Sequence, residues 1–408
     1  MADRSNPAAW LTARRLQAHG LILALCLWSV YTWDMATPGL RDRAGNFKGT
    51  DFLHFYTLGS LALAHKGADL YDMQAQAQLV ARRVPDAADI RYLPLYPPQV
   101  SMFFAPLASL SYAQALILWL MLSTLIYAAC VYAFWRAGRG LRGVGFTVFI
   151  LAAAYPAFWH LIAWGQTSAL VLICFTLAFF ALRADREFLA GLALGCLIFK
   201  PQLGVAAAIV FVAARGWKVI AGALLSAFAQ LALAWMYYGP EPLREWIHVL
   251  LRTPSLLPML EPKLYQTHSL RTFWTMLVPW PGFALALYII CSVLVLFLTI
   301  VCWRNKLSLA LRYSALLLAT VLVAPHLTVY DLVILAPAFL LLANWIVTHP
   351  MEAAAAPLKI LLYLAYALPL LGPLARWTHF QLSVPAMLVI LYVISQIGER
   401  SAPNTALV

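Results

Sequence analysis

The 408-residue sequence predicts an all-α polytopic membrane protein, and three observations carry that prediction. Hydrophobic residues make up 63% of the chain and charged ones 11%, against roughly 25% charged in a soluble domain. Apolar runs of membrane-spanning length recur along the chain. Between them the basic residues fall in short tracts, a pattern that orients a membrane protein. A soluble globular domain, a disordered chain and a disulfide scaffold are excluded, because no water-bounded core absorbs this much apolar surface. The net charge of +12 therefore reads as a topology signal, and no nucleic-acid partner is expected. Cys26, Cys130, Cys174, Cys196, Cys291 and Cys302 lie in apolar stretches without CxxC spacing and read as small buried hydrophobes.

The elements follow in order. Arg4, Arg14 and Arg15 precede the apolar run 21–33. No small-x-small cleavage site follows and many spans do, so this is an uncleaved first span. The polar segment 38–95 is the first extracytoplasmic loop, with a surface helix expected over 58–66. Segment 100–110 is too short to cross comfortably and is either re-entrant or a short span. Further spans are expected near 111–135, 143–163, 166–183, 187–200, 201–215, 217–238, 281–303, 308–325, 329–347, 357–374 and 379–397, about twelve in all. Arg136/Arg139/Arg142, Arg183/Arg186, Arg215/Lys218 and Arg304/Lys306/Arg312 mark the cytoplasmic loops. Both termini then lie in the cytoplasm, and 239–272 is the second extracytoplasmic loop of one membrane-embedded domain, 1–408.

The candidate functional residues are those a bilayer makes expensive. A charge at mid-membrane costs roughly 2.5–3.5 kcal/mol on insertion scales, so such groups face polar cavities. Here they gather at the extracytoplasmic ends of spans. Asp51 opens Asp51-Phe52-Leu53-His54-Phe55-Tyr56 and is either a helix N-cap or a carboxylate available as a base. His54, three residues on, shares its face if the segment is helical. Tyr96 precedes the stiff Pro97-Pro98 pair at the end of the large loop. Gln166 sits in a short turn, where it either caps helix ends or faces the cavity. Lys200, before Pro201, is a snorkelling lysine or an ammonium placed for a phosphate oxygen. In 239–272, Glu241, Glu245, His248, Arg252, Glu261, Lys263 and His268 read as a mixed, mostly solvated surface, and Arg271 as a phosphate or sugar contact. His326, in the Pro325-marked turn, titrates near neutrality in its reference state. Asp331 begins the next span, either as a cap or as a substrate contact.

In order along the chain, Asp51-Phe-Leu-His-Phe-Tyr, Gly67-Ala-Asp-Leu-Tyr71-Asp72, Tyr96-Pro-Pro98, Gly165-Gln166, Gly191…Gly195…Lys200-Pro201 and Pro325-His326 resemble glycosyltransferase family 87. That family comprises polyprenol-phosphate-mannose-dependent mannosyltransferase-like proteins of the GT-C fold. The resemblance implies an inverting transfer of a monosaccharide, with mannose the family's best-known sugar. The donor would be polyprenyl-phosphate-linked, and the acceptor a hydroxyl of a glycan or glycolipid. Asp51 takes the role of base, with His326 as the second candidate. Lys200 and Arg271 hold the donor phosphate, while His54, Tyr96, Gln166 and Asp331 contact substrate. No cofactor is expected: Phe52 directly follows Asp51, so there is no paired-acid metal motif, although a divalent metal stays open. The implied setting is the plasma (inner) membrane, in contact with lipid, with the active site extracytoplasmic. The alternative is a secondary transporter or lipid flippase, which calls for midplane charges and two related halves. A non-catalytic assembly subunit would not need Asp51, Lys200 and His326 on one face.

Overall fold

The computed structural model describes residues 7–261, 263–305 and 307–400. Arg4 and Lys306, assigned above to cytoplasmic segments, lie outside the described residues. Among those described, every regular element is helical, apart from isolated bridges at Arg41–Phe47 and Thr267–Thr328. The α-helices used below are α1 (Ala13–Met35), α2 (Thr50–Leu63), α3 (Met73–Arg83), α4 (Gln99–Ala108), α5 (Tyr112–Ala137), α6 (Gly145–Ala153), α7 (Pro156–Trp164), α8 (Ser168–Arg183) and α9 (Glu187–Gly195). They continue with α10 (Val205–Ala213), α11 (Trp217–Tyr238), α12 (Glu241–Leu260), α13 (Leu270–Leu277), α14 (Pro281–Arg304), α15 (Leu309–Val323), α16 (Ala336–Thr348), α17 (Ala355–Ala367) and α18 (Ser383–Arg400).

Local chemistry sets many of the boundaries. α5 starts at a capping box in which Gln114 Oε1 accepts from the Ser111 N–H (3.3 Å) and hydroxyl (2.8 Å). α7 and α14 carry Pro156 and Pro281 in their first turn, where the missing N–H costs nothing. α7 ends at Gly165, whose φ of +69° is a left-handed cap. A Cβ there would meet the Phe52 Cβ at 2.8 Å, so glycine lets this turn press against the start of α2.

Each apolar run expected to span forms helix, but their lengths divide them. Among the described residues, six helical segments are long and apolar enough to cross a membrane: Ala13–Met35, Tyr112–Ala137, Trp217–Tyr238, Pro281–Arg304, Val329–Thr348 and Ala355–Thr378. The pair Arg139–Ala153 and Pro156–Trp164, bent by 45°, makes a seventh if taken as one span. The others expected to cross are shorter: Ser168–Arg183, Glu187–Phe199, Pro201–Ala213, Leu309–Val323 and Ser383–Ile397. At about 1.5 Å per residue, α8 rises only about 24 Å, short of the ~30 Å apolar thickness.

The region 38–95 differs from expectation in one respect. Its helix α2 runs over Thr50–Leu63, and Phe52 through Ala62 are all buried, so it is not a surface helix. Phe52, Phe55, Phe104 and Trp119 form the centre of a second, smaller core that α2 builds with α4, α5 and the loop itself. The reason is composition: aromatic and aliphatic residues surround α2 on every side and have to be covered. α3, capped by Asp72 through the N–H groups of Gln74 (2.8 Å) and Ala75 (3.1 Å), packs below it. The two long loops also join, since the Trp246 indole of α12 donates to the Leu95 carbonyl (3.2 Å). Of the cysteines, Cys130, Cys174 and Cys302 are buried as expected, whereas Cys26 is exposed.

α9 packs backbone to backbone against α11. A Cβ on Gly191 would stand 2.0 Å from the Val219 carbonyl oxygen, one on Gly195 2.3 Å from that of Ala223, and one on Gly222 2.2 Å from that of Phe188. Small residues four apart allow this backbone contact, and in a bilayer such packing replaces the absent hydrophobic drive. The contact fixes α9, which leads through the 3₁₀ turn Cys196–Phe199 to Lys200. Gly191→Leu should therefore lower the thermal unfolding midpoint of the detergent-solubilised protein, at a cost of about 1–3 kcal/mol. Gly143→Ala, which meets nothing within 4 Å, should leave the midpoint unchanged.

Candidate active site

The site forms where the short helices end, opposite the basic loops at 183–186 and 215–218. The turn after α7 places Gln166, Thr167 and Ser168, the break between Phe199 and Pro201 places Lys200, and a 3₁₀ segment, Val329–Leu335, carries Tyr330 and Asp331. Thr328 and Asp331 close a capping box at the start of that segment.

The floor of the site is a buried ion pair. Lys200 Nζ lies 2.9 Å from Asp331 Oδ1, and the two residues are 4% and 3% exposed. The ammonium also donates to Ser168 Oγ (3.1 Å) and reaches Gln166 Oε1 (3.5 Å). Ser168 Oγ–H donates to the same Asp331 oxygen (2.5 Å), while Asp331 Oδ2 accepts from Thr328 N–H (3.3 Å). The Tyr330 ring lies 5.3 Å from the ammonium. Lys200 is thus neither a snorkelling side chain nor a free ammonium.

Above the floor sits Asp51. It lies in the first turn of α2, but Gly49 holds the cap position and the Asp51 side chain does not cap the helix. Its Oδ2 accepts from Gln166 Nε2–H (2.8 Å), and the same amide nitrogen donates to the Tyr330 hydroxyl (3.2 Å). No cation pairs directly with Asp51 among the described residues. Desolvation raises its pKa to about 6, opposed by the Gln166 hydrogen bond and by Lys200. Gln166 faces the cluster and couples Asp51 to Lys200.

A second ionic group closes the other side. Glu261, read from sequence as part of a solvated surface, is buried at 5% exposure. Its carboxylate pairs with the Arg271 guanidinium through Oε2 and with His326 Nδ1 through Oε1 (2.8 Å). Arg271 also donates to the Pro325 carbonyl. The Thr267–Thr328 bridge holds these two chain segments together. Desolvation pushes the His326 imidazole down, and its Nδ1, which faces the Glu261 carboxylate, is the donor there, with Nε2 directed away from that acid. His326 and Arg271 both keep part of their side chains accessible, at 21% and 14%. His268, from the same loop, is buried against Ser383 (2.7 Å) and belongs to packing.

Tyr96 is half-buried at the edge of the cluster, with its backbone carbonyl held by the Tyr71 hydroxyl (3.0 Å). His54 stands apart: it is buried, stacked on Tyr92 with ring centroids 4.8 Å apart, and edge-on to Tyr96 at 5.6 Å. Burial pushes its pKa down to about 3, which keeps the ring neutral. The structure thus brings together Asp51, Gln166, Lys200 and Asp331 by hydrogen bonds, with His326 and Arg271 joined through Glu261. Sequence reasoning missed the role of Glu261. Its signal was local: a single acid set in the run Leu260-Glu261-Pro262, after the exposed charges of α12 have ended. Among the described residues no group of three or more His, Cys, Asp or Glu is placed to hold a metal ion.

Fold and site define a multi-pass membrane protein with a cluster of buried ionisable groups, Lys200, Asp331, Glu261 and Arg271, gathered with Asp51 and His326. The family model for glycosyltransferase family 87 matches residues 95–325, more than half of the chain, and the chain belongs to that family. It is a glycosyltransferase. The matched region holds Tyr96, Gln166, Lys200, Glu261 and Arg271, while Asp51, His326 and Asp331 lie outside it. No curated protein and no solved structure matches the chain.

The buried pair can be tested directly. Lys200→Met leaves Asp331 without its cation, a loss of about 3–5 kcal/mol. Thermal unfolding in detergent should show the single variant far below wild type, with Lys200→Met/Asp331→Leu recovering much of the loss. A double variant no more stable than the single would show that the pair does not organise this region.

Proposed function

We propose that the protein transfers a monosaccharide from a polyprenyl-phosphate-linked donor to a hydroxyl of a glycan or glycolipid acceptor, with inversion at the anomeric carbon. The observation that carries this reading is the state of the three acids in the cluster. Asp331 is buried against Lys200, and Glu261 is buried against Arg271 and His326. Asp51 alone is partly open, pairs with no cation among the described residues, and has a pKa near the working range of a general base.

In the proposed step the acceptor O–H gives its proton to the Asp51 carboxylate as its oxygen bonds to the anomeric carbon. The bond from that carbon to the phosphate oxygen breaks, and polyprenyl phosphate leaves. One displacement inverts the centre. Gln166 holds Asp51 in place, and His326 Nε2 accepts a hydrogen bond from a sugar hydroxyl. Arg271, the cation with an accessible edge, meets the departing phosphate. Lys200 supports the site from below and reaches the phosphate only by its field. Tyr96 borders the sugar, and mannose is the proposed sugar. No cofactor is assigned a part in this step.

An outward-facing site agrees with the charge pattern. On a topology with Arg183 at the inner boundary, the ~24 Å rise of α8 supports a position for Ser168 toward the outer boundary. A lipid-linked donor reaches that depth with its tail still in the bilayer. Ionisable groups in the outer part of the membrane also disfavour the transporter reading, which puts them at the midplane. Plasma-membrane residence with cytoplasmic termini belongs to the same proposal.

The test is transfer by purified protein from labelled polyprenyl-phosphate mannose across a panel of glycan and glycolipid acceptors, with chelator present. Wild-type turnover should rise as pH increases through about 6, as Asp51 loses its proton. Asp51→Asn, which keeps an acceptor for Gln166, should lose about 10²–10⁴ in rate while remaining folded. Folded wild-type protein that consumes no donor, or an Asp51→Asn variant at wild-type rate, would overturn the reading.

A further inference from the structure

A cavity of about 300 Å³ lies toward the other end of the helical bundle, among α1, α5, α6, α16 and α17. The chain shows how far it is from the active site. α6 begins at this cavity and leads through α7 to Gln166, while α16 begins just beyond Asp331 and brings Val347 to the cavity. The walls are aliphatic and aromatic, including Leu16, Val148, Phe339 and Ala343. Four tyrosines contribute rings but have spent their hydroxyls. Tyr127 donates to the Ala152 carbonyl (2.9 Å), Tyr155 to that of Leu332 (2.7 Å) and Tyr366 to that of Leu151 (2.8 Å), while the Tyr363 hydroxyl bonds His19 Nδ1 (2.9 Å). A buried water needs two to four polar partners, so this space suits hydrocarbon better than water.

Charge distinguishes the lining. Its ionisable member is Lys359, partly accessible in the first turns of α17, and no Asp or Glu lines the cavity. Lys359 makes no ion pair among the described residues. The lining residues Leu141 and Val144 come from the turn that carries Arg139 and Arg142, and Ala13 is followed by Arg14. An apolar slot bordered by one unpaired ammonium and a basic rim matches the two halves of an anionic lipid.

We propose that this cavity binds one hydrocarbon chain of an anionic glycerophospholipid, with the headgroup phosphate on Lys359. A lipid tail already sits in an apolar medium, so entering the slot brings no hydrophobic gain. Close packing against the cavity walls holds it instead, and charge selects the headgroup. The site is separate from the donor site, because its basic rim lies at the end of the spans away from Asp51. Its floor nonetheless touches the active-site scaffold: Tyr155 hydrogen-bonds Leu332, the neighbour of Asp331. A bound chain therefore buttresses the 3₁₀ segment that carries the buried pair.

The experiment uses the full-length protein in detergent, equilibrated with equal amounts of phosphatidylglycerol and phosphatidylcholine, with bound lipid read by native mass spectrometry. Wild type should retain one phosphatidylglycerol in preference to phosphatidylcholine. Lys359→Gln should lower that preference about fivefold, the equivalent of about 1 kcal/mol for one lysine near the surface. Ala343→Trp, which fills the slot, should lose the bound lipid of either headgroup. Should that variant not fold, wild type is photolabelled with phosphatidylglycerol bearing a diazirine in its acyl chain, and the label should fall on Phe339 or Leu340. Equal retention of the two lipids by wild type, an unchanged preference in Lys359→Gln, label confined to the outer helix faces, or displacement by polyprenyl phosphate would each overturn the proposal.

Discussion

Everything at the active end of this molecule is arranged around one costly contact, the ion pair between Lys200 and Asp331. Removing two charges from water costs several kcal/mol per ion, and the attraction between them repays that only when the remaining donors and acceptors are also satisfied. Here they are: Ser168 and Gln166 complete the ammonium, and Thr328 completes the carboxylate. The pair ties together three segments, the turn after α7, the break at Phe199–Pro201 and the start of the 3₁₀ segment before α16. Packing supports it from behind. Without side chains on Gly191 and Gly195, α9 lies directly on the backbone of α11, which sets the position of Lys200.

That floor determines what its neighbours can do. With Lys200 neutralised by Asp331 and Arg271 engaged by Glu261, little unpaired positive charge is left to stabilise an ionised Asp51. Desolvation therefore dominates at Asp51, and its carboxyl keeps its proton to an unusually high pH. The same property makes the ionised form a stronger base when it is present. Sign and stability oppose each other here. A carboxyl whose folded pKa is raised contributes stability below its unfolded pKa, and that contribution is lost as pH rises through about 6. The proposed base is thus held in its reactive form at the expense of local stability.

Much of the site was legible in the sequence because a membrane makes polar residues conspicuous. Asp51, Gln166, Lys200, His326 and Asp331 stand out against apolar runs, and four of them form one connected network. Their pairing was not legible. Lys200 and Asp331 are 131 residues apart, and nothing local shows that one neutralises the other. Glu261 was hidden for a different reason: it lies in a loop rich in exposed charge, and only the fold reveals that it is buried. The apolar segments were legible as helices, but their lengths were not. Hydropathy marks apolar stretches without measuring where a helix stops, and α8, α9 and α10 are short. Similarly, α2 was expected on the surface although its aromatic residues require cover on all sides.

The central claim is that the buried pair supports a site in which Asp51 faces the acceptor and Arg271 meets the donor phosphate. Its most direct test is a cryo-EM structure of the protein with a polyprenyl-phosphate sugar bound. The account predicts the phosphate on Arg271, the sugar between Asp51 and His326, and an intact Lys200–Asp331 pair below. A donor bound elsewhere, or a phosphate held by a Lys200 that has left Asp331, would contradict it.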